Sequence, residues 1–308
     1  MNGHELDAAG ITDPLLREAY ALCEALCGGS DHTAHALMRS QLAVDRQPYW
    51  DAMIAFCGHA DDLADAPGVP LAERRRAYDA FVRLFFRLLD TGPGTRFRTP
   101  RRSGSRREAA RRQEFLIALA FADFVQSWRL SLADVREASE ALRRDMEYTE
   151  YGTVAALERY MRGVSGHPAR WLTLLLGPRE GTPEPDALRA AESWGLGLQT
   201  LDFLTDVEED LALGKLYLPL VDLQRCGLSR LDVERAVADR RATLPLRRLA
   251  ECQARRAREY FGSATRWIER AQPRGWEPVR NSIARSQEAL DGFARCEHDL
   301  FALPAGHG

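Results

Sequence analysis

No stretch of this chain is long and apolar enough to cross a membrane. The longest apolar runs, such as Trp171–Leu176, fall far short of the roughly 20 residues that a spanning helix needs. The first residues, MNGHELDAAG, are polar and acidic, without the basic start and apolar run of a secretory signal. An excess of one charge is lacking too. With 42 Lys and Arg against 45 Asp and Glu, the formal net charge is −3, which gives no reason to expect nucleic acid or a membrane surface as a partner. The six cysteines are scattered, at positions 23, 27, 57, 226, 252 and 296. Cys23 and Cys27 can share a helix face, but no second close pair completes a zinc site. All six therefore read as reduced core or boundary residues of a cytoplasmic protein. Period-two strands and internal repeats are missing as well.

What remains is helix. The 308 residues are 45% hydrophobic, enough for one large core or two smaller ones. Long windows rich in Ala, Leu, Arg and Glu carry apolar residues at three- and four-residue spacing. Breaks fall at Gly28-Gly29-Ser30, Ala66-Pro67-Gly68-Val69-Pro70, Thr91–Gly104, Gly177–Pro185, Gly214–Pro219 and Pro273-Arg274-Gly275. After the last break comes a final helix expected to end near Leu303. No break looks like a flexible linker, so the chain is predicted to be a single all-α domain over 1–308. Residues 91–112 stand apart as an Arg-rich loop, with arginines at 96, 98, 101, 102, 106, 107, 111 and 112. It reads as a solvated segment running into a helix, since no aromatic platform supports a nucleic-acid site.

Two acidic constellations carry the chemistry. In WDAMIAFCGHADDLAD (50–65), the row Ile54, Cys57 continues at helical spacing to Asp61 and Asp65. These carboxylates are predicted to lie on or next to the core-facing stripe, one turn or about 6 Å apart. In GLGLQTLDFLTDVEEDLALGKLYLP (195–219), the row Leu196, Gln199, Phe203 runs to Asp206 and Asp210, and Asp202 precedes them by four. Like charges at this spacing destabilise a helix by a few tenths of a kcal/mol, and burying them unpaired costs far more. Hard divalent cations relieve both costs. Mg²⁺ suits carboxylate and water oxygens and is commonly shared with substrate phosphates. Asp61, Asp65, Asp206 and Asp210 are thus the predicted metal ligands.

These blocks resemble the squalene/phytoene synthase family. AFCGHADDLAD resembles its first aspartate-rich block. DMEYTEYGTVAALERYMRGVSG resembles the middle block, with Asp145, Tyr151, Tyr160 and Gly166 at matching places. LGLQTLDFLTDVEEDLALGKLYLP followed by LQRCGLS resembles the second aspartate block and its exit. The resemblance spans roughly residues 15–300. It implies a helical bundle with a central cavity, Mg²⁺ on the two aspartate pairs, a prenyl diphosphate as substrate, and diphosphate binding by Gln199, Lys215 and Tyr217. Lys215 stands where the family usually has Arg, giving a point charge instead of a bidentate fork.

Several positions depart from the family pattern. Gly58 replaces an Arg three residues before Asp61. Asp202 replaces an Asn and Thr205 an Arg in the second block. After Gly166, a run of small residues becomes His167-Pro168-Ala169-Arg170-Trp171. Two cations are lost and one anion gained, which makes a second diphosphate costly to hold. The expectation is therefore transfer from one short allylic diphosphate, dimethylallyl before geranyl, to an aromatic acceptor. That activity resembles the carbazole prenyltransferase offshoot of the family, known from actinobacteria. Ionisation would rest on the aspartates Asp61 and Asp206. Asp202 is placed to take the final proton, although released diphosphate could do so, and it could instead hydrogen-bond the acceptor or merely line the cavity. Phe203, Trp171 and His167 could contact an aromatic ligand, with core packing the alternative for each. His59 lies off the face of the acids. Two rival functions stand beside this one: head-to-head coupling of two C15 or C20 diphosphates, and a catalytically silent assembly subunit.

Overall fold

The structure is a computed structural model that describes residues 3–28, 33–91, 105–273 and 276–302. Among these residues there is helix and no strand. The helices are α1 (Gly3–Ala8), α2 (Pro14–Gly28), α3 (Thr33–Gln41), α4 (Gln47–Asp65), α5 (Leu71–Thr91), α6 (Arg106–Ser127), α7 (Leu132–Asp145), α8 (Val154–Met161), α9 (His167–Leu176), α10 (Glu184–Thr205), α11 (Val207–Ala212), α12 (Leu220–Arg225), α13 (Arg230–Ala238), α14 (Leu244–Arg270) and α15 (Trp276–Arg295). A π-turn, Arg162–Gly166, joins α8 to α9. No helix among the described residues is long and apolar enough to cross a membrane.

The chain divides into two compact units, Met1–Met146 with Leu174–Gly177, and Glu147–Thr173 with Pro178–Gly308. In the first unit α6 is the central helix, packed by α2, α4 and α5. Its residues from Phe115 to Val125 are nearly all buried, because neighbours lie on every side of it. The ring of Phe121 stacks on Phe56 of α4 at 4.1 Å and lies 5.3 Å from Phe85 of α5. Each such buried ring contributes about 1.5–3 kcal/mol of transfer free energy.

In the second unit α10 lies along α14. Small residues permit the close approach: α14 buries Ala250, Ala254, Ala257 and Ala264, and a Cβ on Gly197 of α10 would meet the Phe261 ring at 2.9 Å. Gly195, also on α10, faces the π-turn, where a Cβ would come within 2.8 Å of the Ser165 carbonyl oxygen.

Two sequence-based boundaries need correction. The second half of the Arg-rich segment is helix, since α6 starts at Arg106. Ser105 accepts a hydrogen bond from the Glu108 N–H at 3.3 Å, and its hydroxyl donates to the Glu108 carboxylate at 2.8 Å, which caps the helix. Arg112 pairs with Glu18 at 2.7 Å. Arg96, Arg98, Arg101 and Arg102 lie outside the described residues. The final helix stops at Arg295. Glu297 and His298 then adopt positive φ, and Leu303 lies outside the described residues.

Candidate active site

In the first unit, α4 begins in the core and ends at the surface. Pro48 to Met53, Ala55 and Phe56 are buried, and further on Ala60 and Ala64 stay buried while Asp61, Asp62 and Asp65 are exposed. The row Ile54, Cys57, Asp61, Asp65 borders the core stripe instead of lying on it. The three acids crowd the last turns of α4, which holds no basic residue in its final turn. That is the negative pole of the helix, where an anion is disfavoured by about 0.3–1 kcal/mol. Arg74 of α5 donates to the Ala64 carbonyl there.

Asp61 is exposed as a residue, yet protein crowds its carboxyl. This desolvation, followed by the charges of Asp65, Asp62 and Asp145, pushes its pKa up to about 6. Asp145 is buried at the end of α7, and sequence reasoning did not assign it to the site. Its place in the middle block was the available signal. His59 is edge-on to Phe81 at 4.7 Å. Burial lowers its pKa, against the pull of Asp62, which favours the neutral imidazole.

In the second unit, α10 and α11 meet at Asp206, whose φ of −106° and ψ of 12° break the helix. The i→i−4 bonds continue through the break, from the Asp206 N–H to the Asp202 carbonyl at 2.9 Å and from the Asp210 N–H to the Asp206 carbonyl at 2.8 Å. The three acids therefore remain in one row across the bend. Their side-chain partners include neutral donors. Thr205 Oγ1 donates to Asp206 Oδ1 at 2.8 Å, and Gln199 Nε2 reaches Asp202 Oδ2 at 3.5 Å. Crowding by protein, followed by the Asp206 charge, raises the Asp202 carboxyl to about 6. Among the described residues none of Asp61, Asp202 and Asp206 is ion-paired.

The exit of α11 explains why Gly and Lys follow the acids. Gly214 takes φ +78°, a left-handed conformation that costs glycine little. This turns the chain so that the Lys215 N–H donates to the Asp210 carbonyl at 2.8 Å. The next residues are laced to the middle block, with the Leu216 N–H on the Thr149 carbonyl at 2.8 Å and the Leu220 N–H on the Tyr151 carbonyl at 2.9 Å. Arg230 supports the junction by donating to the carbonyls of Thr149 and Gly214.

That lacing assembles a wall of aromatic rings. Tyr217 stacks on Phe203 at 4.4 Å and 9° between planes, on Tyr160 at 5.6 Å and 12°, and on Tyr151 at 5.9 Å and 26°. Phe203 immediately follows Asp202 in sequence. The structure thus brings Gln199, Asp202, Phe203, Asp206, Tyr151 and Tyr217 together, and adds Tyr160 and Thr205. His167 has a core setting: it is buried and stacks on the buried Trp171 at 6.4 Å.

The donor sets fit a hard cation. Both are made of carboxylate oxygens, one set in the last turns of α4 and the other across the junction of α10 and α11, and in each a carboxyl is pushed up by desolvation and its acid neighbours.

Known proteins are similar to this chain over nearly its whole length. The squalene/phytoene synthase family model matches residues 30–302. The 15-cis-phytoene synthase of Synechococcus elongatus is 26% identical over 295 residues, covering 93% of this chain and 87% of that enzyme. Phytoene synthase 1 of Zea mays is 25% identical over 301 residues, which are 94% of this chain and 65% of the maize protein. Among solved structures, squalene synthase HpnC from Alicyclobacillus acidocaldarius superposes with a TM-score of 0.72 at 21% identity, covering 95% of this chain and 99% of that one. The chain shares that all-α fold. It belongs to the squalene/phytoene synthase family.

Proposed function

We propose that this protein ionises an allylic prenyl diphosphate and transfers the prenyl group by head-to-head coupling to a second prenyl diphosphate, the reaction class of its phytoene- and squalene-synthase relatives. The observation that carries the ionising half is the pair of acid groups, Asp61/Asp65 in the last turns of α4 and Asp206/Asp210 across the junction of α10 and α11. Each pair would hold Mg²⁺, which would supply positive charge to offset that developing on the departing diphosphate. The allylic C–O bond breaks and its electron pair leaves with the diphosphate. Gln199 and Lys215 orient that leaving group. The stacked faces of Phe203, Tyr217, Tyr160 and Tyr151 supply an apolar, electron-rich surface beside the acids, which suits an allyl cation.

A second reading keeps this chemistry and changes the acceptor to an electron-rich aromatic, such as a carbazole or an indole, with dimethylallyl diphosphate as donor. Thr205 favours it: a neutral hydroxyl sits on Asp206 where the family usually places a guanidinium. Gly58 and Asp202 change the local charge in the same direction. In that reading Asp202 accepts the proton lost after attack. The similar proteins support the head-to-head reaction better.

A product assay by mass spectrometry separates the two. The enzyme is given Mg²⁺ and C5, C10, C15 or C20 diphosphates, with and without indoles and carbazoles. A dimeric hydrocarbon from C15 or C20 alone supports coupling, and a prenylated heterocycle supports aromatic transfer. Absence of turnover with every donor would overturn both and favour a silent subunit.

A further inference from the structure

Outside the candidate active site, one buried cluster in the first unit has chemistry that the reaction does not use. Cys27 near the end of α2, His35 in the first turn of α3 and Asp51 in the second turn of α4 bring one ligand atom each within 4.8 Å of one another. Cys27 is 6% exposed and Asp51 1%, and the His35 side chain is 9% exposed. Asp51 lies ten residues before Asp61 on α4, roughly 15 Å along the helix axis, so the cluster is separate from the acid pair.

His35 carries the sign of a missing partner. His35 Nε2 lies 3.4 Å from Asp51 Oδ1, yet it has no hydrogen-bond partner among the described residues. Leaving a buried polar atom in that state costs about 1–3 kcal/mol. The spacing suits a shared ion: two donors each about 2.0–2.1 Å from a tetrahedral metal sit about 3.3–3.4 Å apart. Arg39 engages the same carboxylate, its Nε at 2.9 Å from both oxygens and its Nη2 at 2.9 Å from Oδ2. Oδ1 therefore receives less and keeps lone-pair capacity on the side of His35. Arg39 also pairs with Glu5 at 2.6 Å. Around this one guanidinium stand the buried carboxylate of Asp51 and the half-buried one of Glu5. The Cys27 S–H donates to the Asp51 carbonyl oxygen at 3.5 Å. A divalent ion bound here would displace that thiol proton to solvent.

We infer that Cys27, His35 and Asp51 form a buried site for one transition-metal ion of the Zn²⁺ class, with water in the fourth position, which ties α2, α3 and α4 together. Thiolate, imidazole and carboxylate form a donor set suited to zinc and not to magnesium. Arg39 remains as the outer partner of Asp51, orienting the carboxylate as such partners do in metal sites.

Cobalt(II) reports the site directly, because a thiolate–Co²⁺ bond gives a near-ultraviolet charge-transfer band that a carboxylate site cannot produce. The full chain is titrated with Co²⁺ in excess Mg²⁺, which occupies the aspartate pairs. The expected result is one ion per chain with that band, displaced by Zn²⁺. Cys27→Ser should lose the band, and His35→Gln should weaken Co²⁺ binding at least tenfold while far-ultraviolet circular dichroism stays unchanged. The inference fails if the wild-type protein gives no band, or if the band persists undiminished in Cys27→Ser. Should Cys27→Ser not fold, His35→Gln decides: unchanged Co²⁺ affinity there refutes the site.

Discussion

Replacing Gly195 by alanine tests how tightly α10 is set against the π-turn. Gly→Ala inside a helix normally stabilises it, by about 0.8–1.0 kcal/mol. Here the added Cβ would sit 2.8 Å from the Ser165 carbonyl oxygen, 2.9 Å from its carbonyl carbon and 2.9 Å from its Oγ. Ordinary contact begins at 3.4 Å, so roughly 0.6 Å of retreat is needed. Backbone atoms cannot rotate aside as a side-chain tip can. Overpacking of this kind costs about 1–3 kcal/mol. After subtracting the propensity gain, the variant should lose up to about 2 kcal/mol, or up to roughly 8 °C of melting temperature at this size. Gly262 on α14 is the internal control, because a Cβ there meets nothing within 4 Å. Gly262→Ala should gain about 0.5–1 kcal/mol. Urea denaturation and thermal melts of the two variants would be compared side by side. If Gly195→Ala proves as stable as Gly262→Ala, the close approach of α10 to the π-turn is wrong.

Three further outcomes are expected. Asp206→Asn should abolish release of diphosphate from an allylic substrate, followed by a coupled phosphate assay, while stability stays within about 0.5 kcal/mol of wild type; unchanged turnover would refute its role as a ligand. Gly58→Arg fits without a clash, since a Cβ there meets nothing within 4 Å. It should raise stability by about 0.5–1 kcal/mol and tighten Mg²⁺-dependent binding of inorganic diphosphate, measured by calorimetry. Among the thiols, the exposed Cys296 should react rapidly with a disulfide reagent at pH 8, whereas the half-buried Cys57, whose thiol is pushed up to about 12 by desolvation and then Asp61, should react more slowly; equally fast loss of the Cys57 thiol, read by peptide mass spectrometry, would contradict that shift.

The parts of the fold that could be read in advance were those written in local chemistry. Ala66–Pro70 ends α4 because proline and glycine cannot continue it, and Gly214 takes the positive φ that only glycine adopts cheaply. The acid rows were legible because helical spacing is short-range. Other features depend on contacts distant in sequence. The break at Asp206 lacks proline or glycine, so nothing local marks it, and that at Trp128–Ser131 is marked only by the Ser131 cap of α7. The wall of Tyr151, Tyr160, Phe203 and Tyr217 draws on three separate stretches of chain, joined by the bonds from 216 and 220 back to 149 and 151. Cys27, His35 and Asp51 escaped notice for the same reason, since their spacings of eight and sixteen match no metal-binding pattern. The expected bordering of core and acids on α4 was right in spacing but too deep in burial, because the hydrophobic row thins to half-buried residues before it reaches Asp61.

The π-turn at Arg162–Gly166 has a consequence for how this segment tolerates change in length. A π-turn holds one residue more than the α-helical turn it replaces, and each residue advances a helix by about 100°. Removing a single residue from Arg-Gly-Val-Ser-Gly would therefore let α8 run into α9 as regular helix with the packing face of α9 still in phase, whereas removing one from a regular turn of α8 would rotate the rest of the helix by that angle. Ala169, Trp171 and Leu172, all buried, would keep their packing face in the first case and swing off it in the second. The segment therefore behaves as a turn with one residue of slack, able to lose length where the helices on either side cannot.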